Sequence, residues 1–346
     1  MRPPGDRSRS TKRRGAALIK VRYTGINRLC KSLTVTLPSH NLPNDEPQDA
    51  EAGSFVSSSP RRIRPFLQLS RYDRPVGFWL LALPCLAGLS LARMSEGFAP
   101  GDAGVAGLYV LGAVAMRGAG CTYNDILDRK IDAAVARTAR RPLPAGAVSL
   151  RSAIVWLAAQ CLAGLGVLLL LPEGARLIAL MALPLVALYP LMKRITWWPQ
   201  AWLGLTFNWG VLTAAAGARG QIEAPDLLLY AGLALWTLGY DTLYALQDRE
   251  DDALIGVRST ARRFGSRVRL AVSVIYLLSA GLCALAGGLA GGWAGAALAL
   301  PFAGHLMLQA ANLRPDDPSQ ALRLFRSNRD AGVLLVAGWV FIAAFL

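Results

Sequence analysis

The chain has 346 residues, of which 53% are hydrophobic and 17% charged, with a mean hydropathy of +0.36 and a formal net charge of +15. That composition excludes a soluble globular domain and points to a polytopic membrane protein. The positive charge is not a nucleic-acid footprint: about 23 of the 37 Lys and Arg residues sit in alternate short loops, about 3 in the other loops and about 10 in the N-terminal tail, which is the positive-inside asymmetry.

Residues 1–60 are a different material from the rest, rich in Arg, Ser, Pro and Asn with an acidic patch at Asp45–Glu51. They are expected to form a disordered basic N-terminal extension, ahead of a transmembrane domain over 61–346. The acid-poor start is similar to a mitochondrial transit peptide, although it lacks a clear amphipathic helix. The Arg/Ala/Gly/Leu-rich body favours a bacterial inner membrane, with a mitochondrial inner membrane as the alternative. No secretory signal peptide is expected, because the first apolar segment comes late and carries no cleavage site.

Apolar segments predict nine membrane helices, at roughly 76–94, 104–124, 151–171, 175–192, 197–217, 226–247, 268–290, 293–312 and 330–346. The fold class is therefore all-α, a polytopic membrane helix bundle. Arginine-rich and arginine-poor loops alternate, which places the N-terminus in the cytosol. Gly164, Gly166 and the run Gly287–Gly292 would allow close helix packing, or merely reflect a glycine-rich composition. The five cysteines show no zinc or disulfide spacing, and His305 is expected as an ordinary helix residue.

The most informative stretch is NDILDRKID, Asn124–Asp132. On a helix, spacings of three, four and seven put Asp125, Asp128 and Asp132 on one face. Crowded carboxylates repel unless a cation neutralises them, and oxygen-only donors suit a hard divalent ion such as Mg²⁺ shared with a phosphate. Asn124 adds a neutral carbonyl oxygen. Arg137, Arg140 and Arg141 follow; guanidinium groups grip phosphate in pairs of hydrogen bonds, and they also serve positive-inside topology. A second cluster comprises Asp248, Glu250, Asp251 and Asp252, with Asp241 two turns deeper in its helix between Tyr240 and Tyr244. An ionisable residue at membrane depth is a functional candidate by default, which singles out Asp241. Arg117 lies two turns before Asp125, suited to a buried salt bridge or to substrate. Lys193, four residues after Tyr189, would snorkel or reach a diphosphate as a point charge. Both clusters fall on the cytosolic side, which suggests one joint site for a magnesium-bound diphosphate carried on a lipid.

Together these pieces resemble the UbiA superfamily of membrane prenyltransferases. The matching stretches are RYDRPVGFWLL (71–81), MRGAGCTYNDILDRKID with RTARRPLPAG (116–146), YPLMKRITWWPQ with LGLTFNWG (189–210), YDTLYALQDREDD with IGVRSTARRFG (240–265) and LFRSN (324–328). NDxxDxxxD alone marks only the superfamily. Its flanks, with YDTxYAxxDREDD, are similar to the branch that prenylates 4-hydroxybenzoate in ubiquinone biosynthesis. The resemblance implies a helix bundle around a central cavity open sideways to lipid. It implies Mg²⁺ held by Asp125, Asp128, Asp132, Asp248 and Asp252, a polyprenyl diphosphate as donor and 4-hydroxybenzoate as acceptor. Asp125, Asp128, Asp241 and Asp248 would be catalytic. Asn124, Arg71, Arg117, Arg137, Arg141, Tyr189, Lys193 and Tyr240 would bind substrate, with Arg71 and Arg117 the candidates for the acceptor carboxylate. Phe207, Trp209, Tyr240 and Tyr244 are candidates to face an allylic cation. Two other functions compete: a related enzyme with homogentisate, a naphthoate or a tetrapyrrole as acceptor, and an ion-coupled transporter, which would show repeated halves and interrupted helices.

Overall fold

The computed structural model describes residues 53–133, 138–249, 253 and 256–345. The chain divides into two units, Met1–Asp45 and Glu46–Leu346. The first lies outside the described residues, as does most of the expected 1–60 extension.

The described residues contain twelve α-helices and no strand. These are α1 (Arg64–Leu69), α2 (Val76–Ala92), α3 (Asp102–Asp132), α4 (Leu150–Leu170), α5 (Glu173–Met181), α6 (Leu183–Ile195), α7 (Pro199–Arg219), α8 (Ala224–Ala245), α9 (Thr260–Phe264), α10 (Val268–Ala297), α11 (Leu300–Asn312) and α12 (Pro318–Phe345). Five segments are long and apolar enough to cross a membrane: α3, α4, α5 with α6, α9 with α10, and α12; α2 is a shorter apolar helix. Each of the nine expected spans falls on one of these helices or on a consecutive pair. α7 and α8 bury polar groups, Gln200, Asn208 and Thr213 on one and Asp226, Thr237 and Thr242 on the other.

Three boundaries differ from expectation, each for a local reason. α3 continues eight residues past its expected end because no glycine or proline follows Gly120 to stop it. Its 31 residues make about 46 Å of helix, more than a hydrocarbon core of about 30 Å, so its acidic end projects beyond the apolar layer. α12 starts twelve residues before the expected 330, capped by Asp317, whose carboxylate accepts from the Gln320 amide at 2.9 Å. α10 is bent where Gly291 and Gly292 leave helical geometry, Gly292 at φ +63°. That bend brings two glycine backbones together: a β-carbon on Gly295 would lie 2.0 Å from the carbonyl oxygen of Gly287. Gly164 likewise makes room for the Met116 sulfur, whereas Gly166 faces open space.

The main apolar core lies between α2, α8, α10, α11 and α12 and is centred on Trp236, Tyr276, Phe302 and Trp339. α2 also packs against α7, α7 against α8, and α3 against α4. The space enclosed by α2 to α8 on that side is a cavity, and the acidic end of α3 closes one end of it.

Candidate active site

The cavity has a volume of about 430 Å³ and is split by chemistry. Leu108, Leu168, Leu171, Leu183 and Val186 line its apolar part. Arg71, Arg117, Asn124, Asp125, Arg141, Tyr189 and Lys193 line its polar part, with Phe207, Trp209 and Tyr244 as aromatic wall. One enclosure thus offers hydrocarbon, cations and carboxylate together.

α3 supplies the acids as its spacing requires: Asp125, Asp128 and Asp132 are 0%, 1% and 7% exposed, on one buried face. None is left as a bare charge. Arg71 Nη2 donates to both oxygens of Asp125, at 2.8 and 2.9 Å. Arg141 bridges Asp132 at 2.8 Å and Asp125 at 3.4 Å. Asp128 accepts from Lys193 and, at 2.9 Å, from Arg194. Buried carboxylates demand such partners, because an unpaired charge away from water costs several kcal/mol.

The cations arrive from three separate places: Arg71 from the turn after α1, Arg141 from the segment after α3, and Lys193 with Arg194 from the end of α6. Arg71 comes from the end of α1, a Schellman turn in which the Tyr72 amide donates to Leu67 O and the Arg71 amide to Gln68 O, each at 3.0 Å. The left-handed position of that turn, normally glycine, is Arg71 itself at φ +60°, the one non-glycine residue with positive φ among the described residues. Lys193 and Arg194 end α6. Arg258, after the second acidic cluster, donates its amide to Lys193 O at 3.2 Å and its Nη1 to Ile195 O at 2.6 Å. The guanidinium groups of Arg258 and Arg262 lie 5.8 and 5.3 Å from the Trp197 ring. The loop after the second cluster is thereby fastened to the helix that carries Lys193.

Arg117 is different from the other cations. It lines the cavity with its guanidinium 5.4 Å from the Phe207 ring, and Gly77 opposite leaves it room, since a β-carbon there would lie 2.6 Å from Arg117 Nε. Among the described residues it has no carboxylate within 4 Å, and its buried Nε has no hydrogen-bond partner. Asp241 and Tyr189 act on it electrostatically from a longer range.

The structure places the other expected site residues as follows. Arg71 is paired with Asp125. Tyr240 is not on the cavity wall: it is 1% exposed, packed 5.1 Å from Trp236 and 5.9 Å from Phe325, and its hydroxyl accepts from Thr237 at 3.1 Å. Tyr244, one turn on, takes the wall position. Asp241 and Asp128 also fall outside the cavity lining. Asp248 is half-buried in the 3-10 turn that follows α8. Arg137 and Asp252 lie outside the described residues, as do Glu250 and Asp251. Arg194 was missed; its position directly after Lys193 was the available signal.

The donor set fits a hard divalent ion in its chemistry, since every donor is oxygen. Among the described residues, however, no three carboxylates, histidines or cysteines already converge on one ion-sized point. The carboxylates are instead held by guanidinium and ammonium groups. The Tyr72 hydroxyl donates to Val114 O at 3.2 Å, and burial raises the pKa of this phenol.

Comparison with known proteins agrees with this geometry. The profile described as the UbiA prenyltransferase family matches residues 81–344. A protein named 4-hydroxybenzoate polyprenyltransferase, mitochondrial, from Bos taurus is 42% identical over 300 residues, covering 86% of this chain and 80% of the relative. The protein of that name from Saccharomyces cerevisiae is 39% identical over 288 residues, covering 81% and 77%. Among solved structures, an apo UbiA homolog from Aeropyrum pernix K1 superposes with a TM-score of 0.63 at 28% identity, covering 75% of this chain and 96% of that one. A UbiA homolog from Archaeoglobus fulgidus, bound to GPP and Mg²⁺, has the same fold at a TM-score of 0.58 and 17% identity, covering 82% and 100%.

Proposed function

The chain belongs to the UbiA prenyltransferase family, and from that premise we propose that it transfers a polyprenyl group to the ring carbon ortho to the hydroxyl of 4-hydroxybenzoate, releasing diphosphate, in ubiquinone biosynthesis. The catalytic domain spans 61–346, a bundle of membrane helices. The mitochondrial names of its relatives favour the mitochondrial over the bacterial inner membrane as its home.

The observation that carries this reading is Arg117, a cation on the cavity wall beside Phe207 with no carboxylate within 4 Å among the described residues. A buried guanidinium without an anion is costly, so the site is built to receive one. The acceptor carboxylate meets that need, and Phe207 and Tyr244 bracket its ring. Asp241, behind the wall, holds Arg117 in orientation by charge rather than by touching the acceptor.

The donor's diphosphate belongs at the other polar group, beside Asn124, Asp125, Arg141 and Lys193, with its prenyl tail among Leu168, Leu171, Leu183 and Val186. Arg71, Arg141 and Lys193 release carboxylate oxygens and turn to phosphate. The freed Asp125, Asp128 and Asp132, with Asp248 and Asp252, would hold Mg²⁺, which when bound neutralises charge on the leaving diphosphate. The allylic C–O bond then breaks towards the cationic end, and the wall of Phe207, Trp209 and Tyr244 shields the resulting C1 cation from water. The ortho carbon attacks C1, and loss of its proton restores aromaticity.

A panel of acceptors tests the assignment. Purified protein should prenylate 4-hydroxybenzoate in preference to homogentisate, a naphthoate or a tetrapyrrole. A better rate with any of those would move the acceptor assignment and leave the family unchanged.

A further inference from the structure

α4 turns most of its side chains outward: Val155, Leu162 and Leu170 are 69%, 66% and 70% exposed. Its buried residues are Ala153, Gln160 and Gly164. A buried carboxamide on an otherwise apolar helix needs partners, and Gln160 has three. Its Nε2 donates to Ser70 Oγ at 2.8 Å and to the Tyr72 hydroxyl at 3.4 Å, and its Oε1 accepts from Thr122 Oγ1 at 3.1 Å. Trp156, one turn earlier, also donates to Ser70 Oγ at 2.8 Å. Ser70 and Tyr72 are the two neighbours of Arg71. Gly118 keeps the α3 backbone bare at this spot, since a β-carbon there would lie 2.2 Å from Gln160 Nε2 and 2.6 Å from the Tyr72 oxygen.

Thr122 ties only the Oε1 of this amide to α3. The amide also reaches past α3 to both sides of a strained arginine. A non-glycine residue in the left-handed region is strained and persists only where its surroundings over-determine it. The Schellman turn and the Gln160 contacts together do so. We propose that Gln160 is a positioning residue for Arg71: through Ser70 and Tyr72 it fixes the left-handed turn that aims Arg71 at Asp125, and so sets the diphosphate end of the cavity. This rests on the functional reading above, in which Arg71 and Asp125 serve the donor.

The test is a double-mutant cycle on the full chain with donor and acceptor varied separately. Gln160→Leu is expected to raise the donor KM about tenfold. The acceptor KM should stay within about twofold, and Gln160→Leu should add little in an Arg71→Ala background. Equal rises in both KM values, or losses that multiply in the double variant, would overturn the proposal. Thr122→Val, of similar shape, provides a gentler cut of the same network if Gln160→Leu does not fold, and should give the same pattern at about threefold. Hydrogen exchange over 66–75 reads the turn without any chemistry: Gln160→Leu or Thr122→Val should speed it, and unchanged exchange contradicts the proposal. An inactive wild type with normal exchange protection would instead strike the functional reading.

Discussion

Arg71 grips both oxygens of Asp125, at 2.8 and 2.9 Å, from a backbone position at φ +60° where glycine is the usual residue. The contact links a short helix outside the membrane to the acidic end of α3 across 54 residues of sequence. Arginine holds that position against backbone preference, paired with a buried carboxylate.

That conflict predicts a separation of stability from activity. Arg71→Gly and Arg71→Ala both remove the guanidinium and should lose about 100-fold in kcat/KM for the donor. They should differ in stability, the glycine variant exceeding the alanine variant by about 1 kcal/mol because only glycine occupies this φ freely. Unfolding in detergent measures the difference, and an alanine variant at least as stable would show that the turn is unstrained.

The two acidic clusters are predicted to act together. Asp125→Asn and Asp248→Asn should each lower turnover by about 10³-fold or more while the protein still inserts in the membrane. Asp125→Asn should also cost stability, since Arg71 and Arg141 each then lose a charged contact. Full activity in either purified variant would dismantle the joint site.

Arg117 should read the acceptor and nothing else. Arg117→Met is expected to raise the KM for 4-hydroxybenzoate about 100-fold, the scale of a lost charge-assisted hydrogen bond pair in a dry site. The donor KM should hold, and an acceptor analogue without the carboxylate should be used equally by both proteins. A selective loss of donor binding would return Arg117 to the diphosphate end.

Much of this was legible in the sequence because the signals were periodic or charged. Spacings of three, four and seven placed Asp125, Asp128 and Asp132 on one face, and that face is buried. Alternating loop charge set both clusters on one side. The errors came from features that sequence spacing does not encode. Tyr240 and Tyr244 are one turn apart on α8 and both touch Phe325, and only Tyr240 packs on Trp236 while Tyr244 faces the cavity. Arg71 and Arg117 are both arginines near the site, and only the turn geometry of α1 shows that one is already paired. Gln160 was silent, since a single polar residue in an apolar helix carries no period.

The most direct test of the central claim is product analysis with the purified protein, 4-hydroxybenzoate and a short prenyl diphosphate, with Mg²⁺, with excess EDTA, and with Mg²⁺ restored. The account predicts 3-prenyl-4-hydroxybenzoate with Mg²⁺, none with EDTA, and recovery when Mg²⁺ is returned. A folded protein that forms the product equally well in EDTA, or that prenylates no acceptor under any of these conditions, would contradict it.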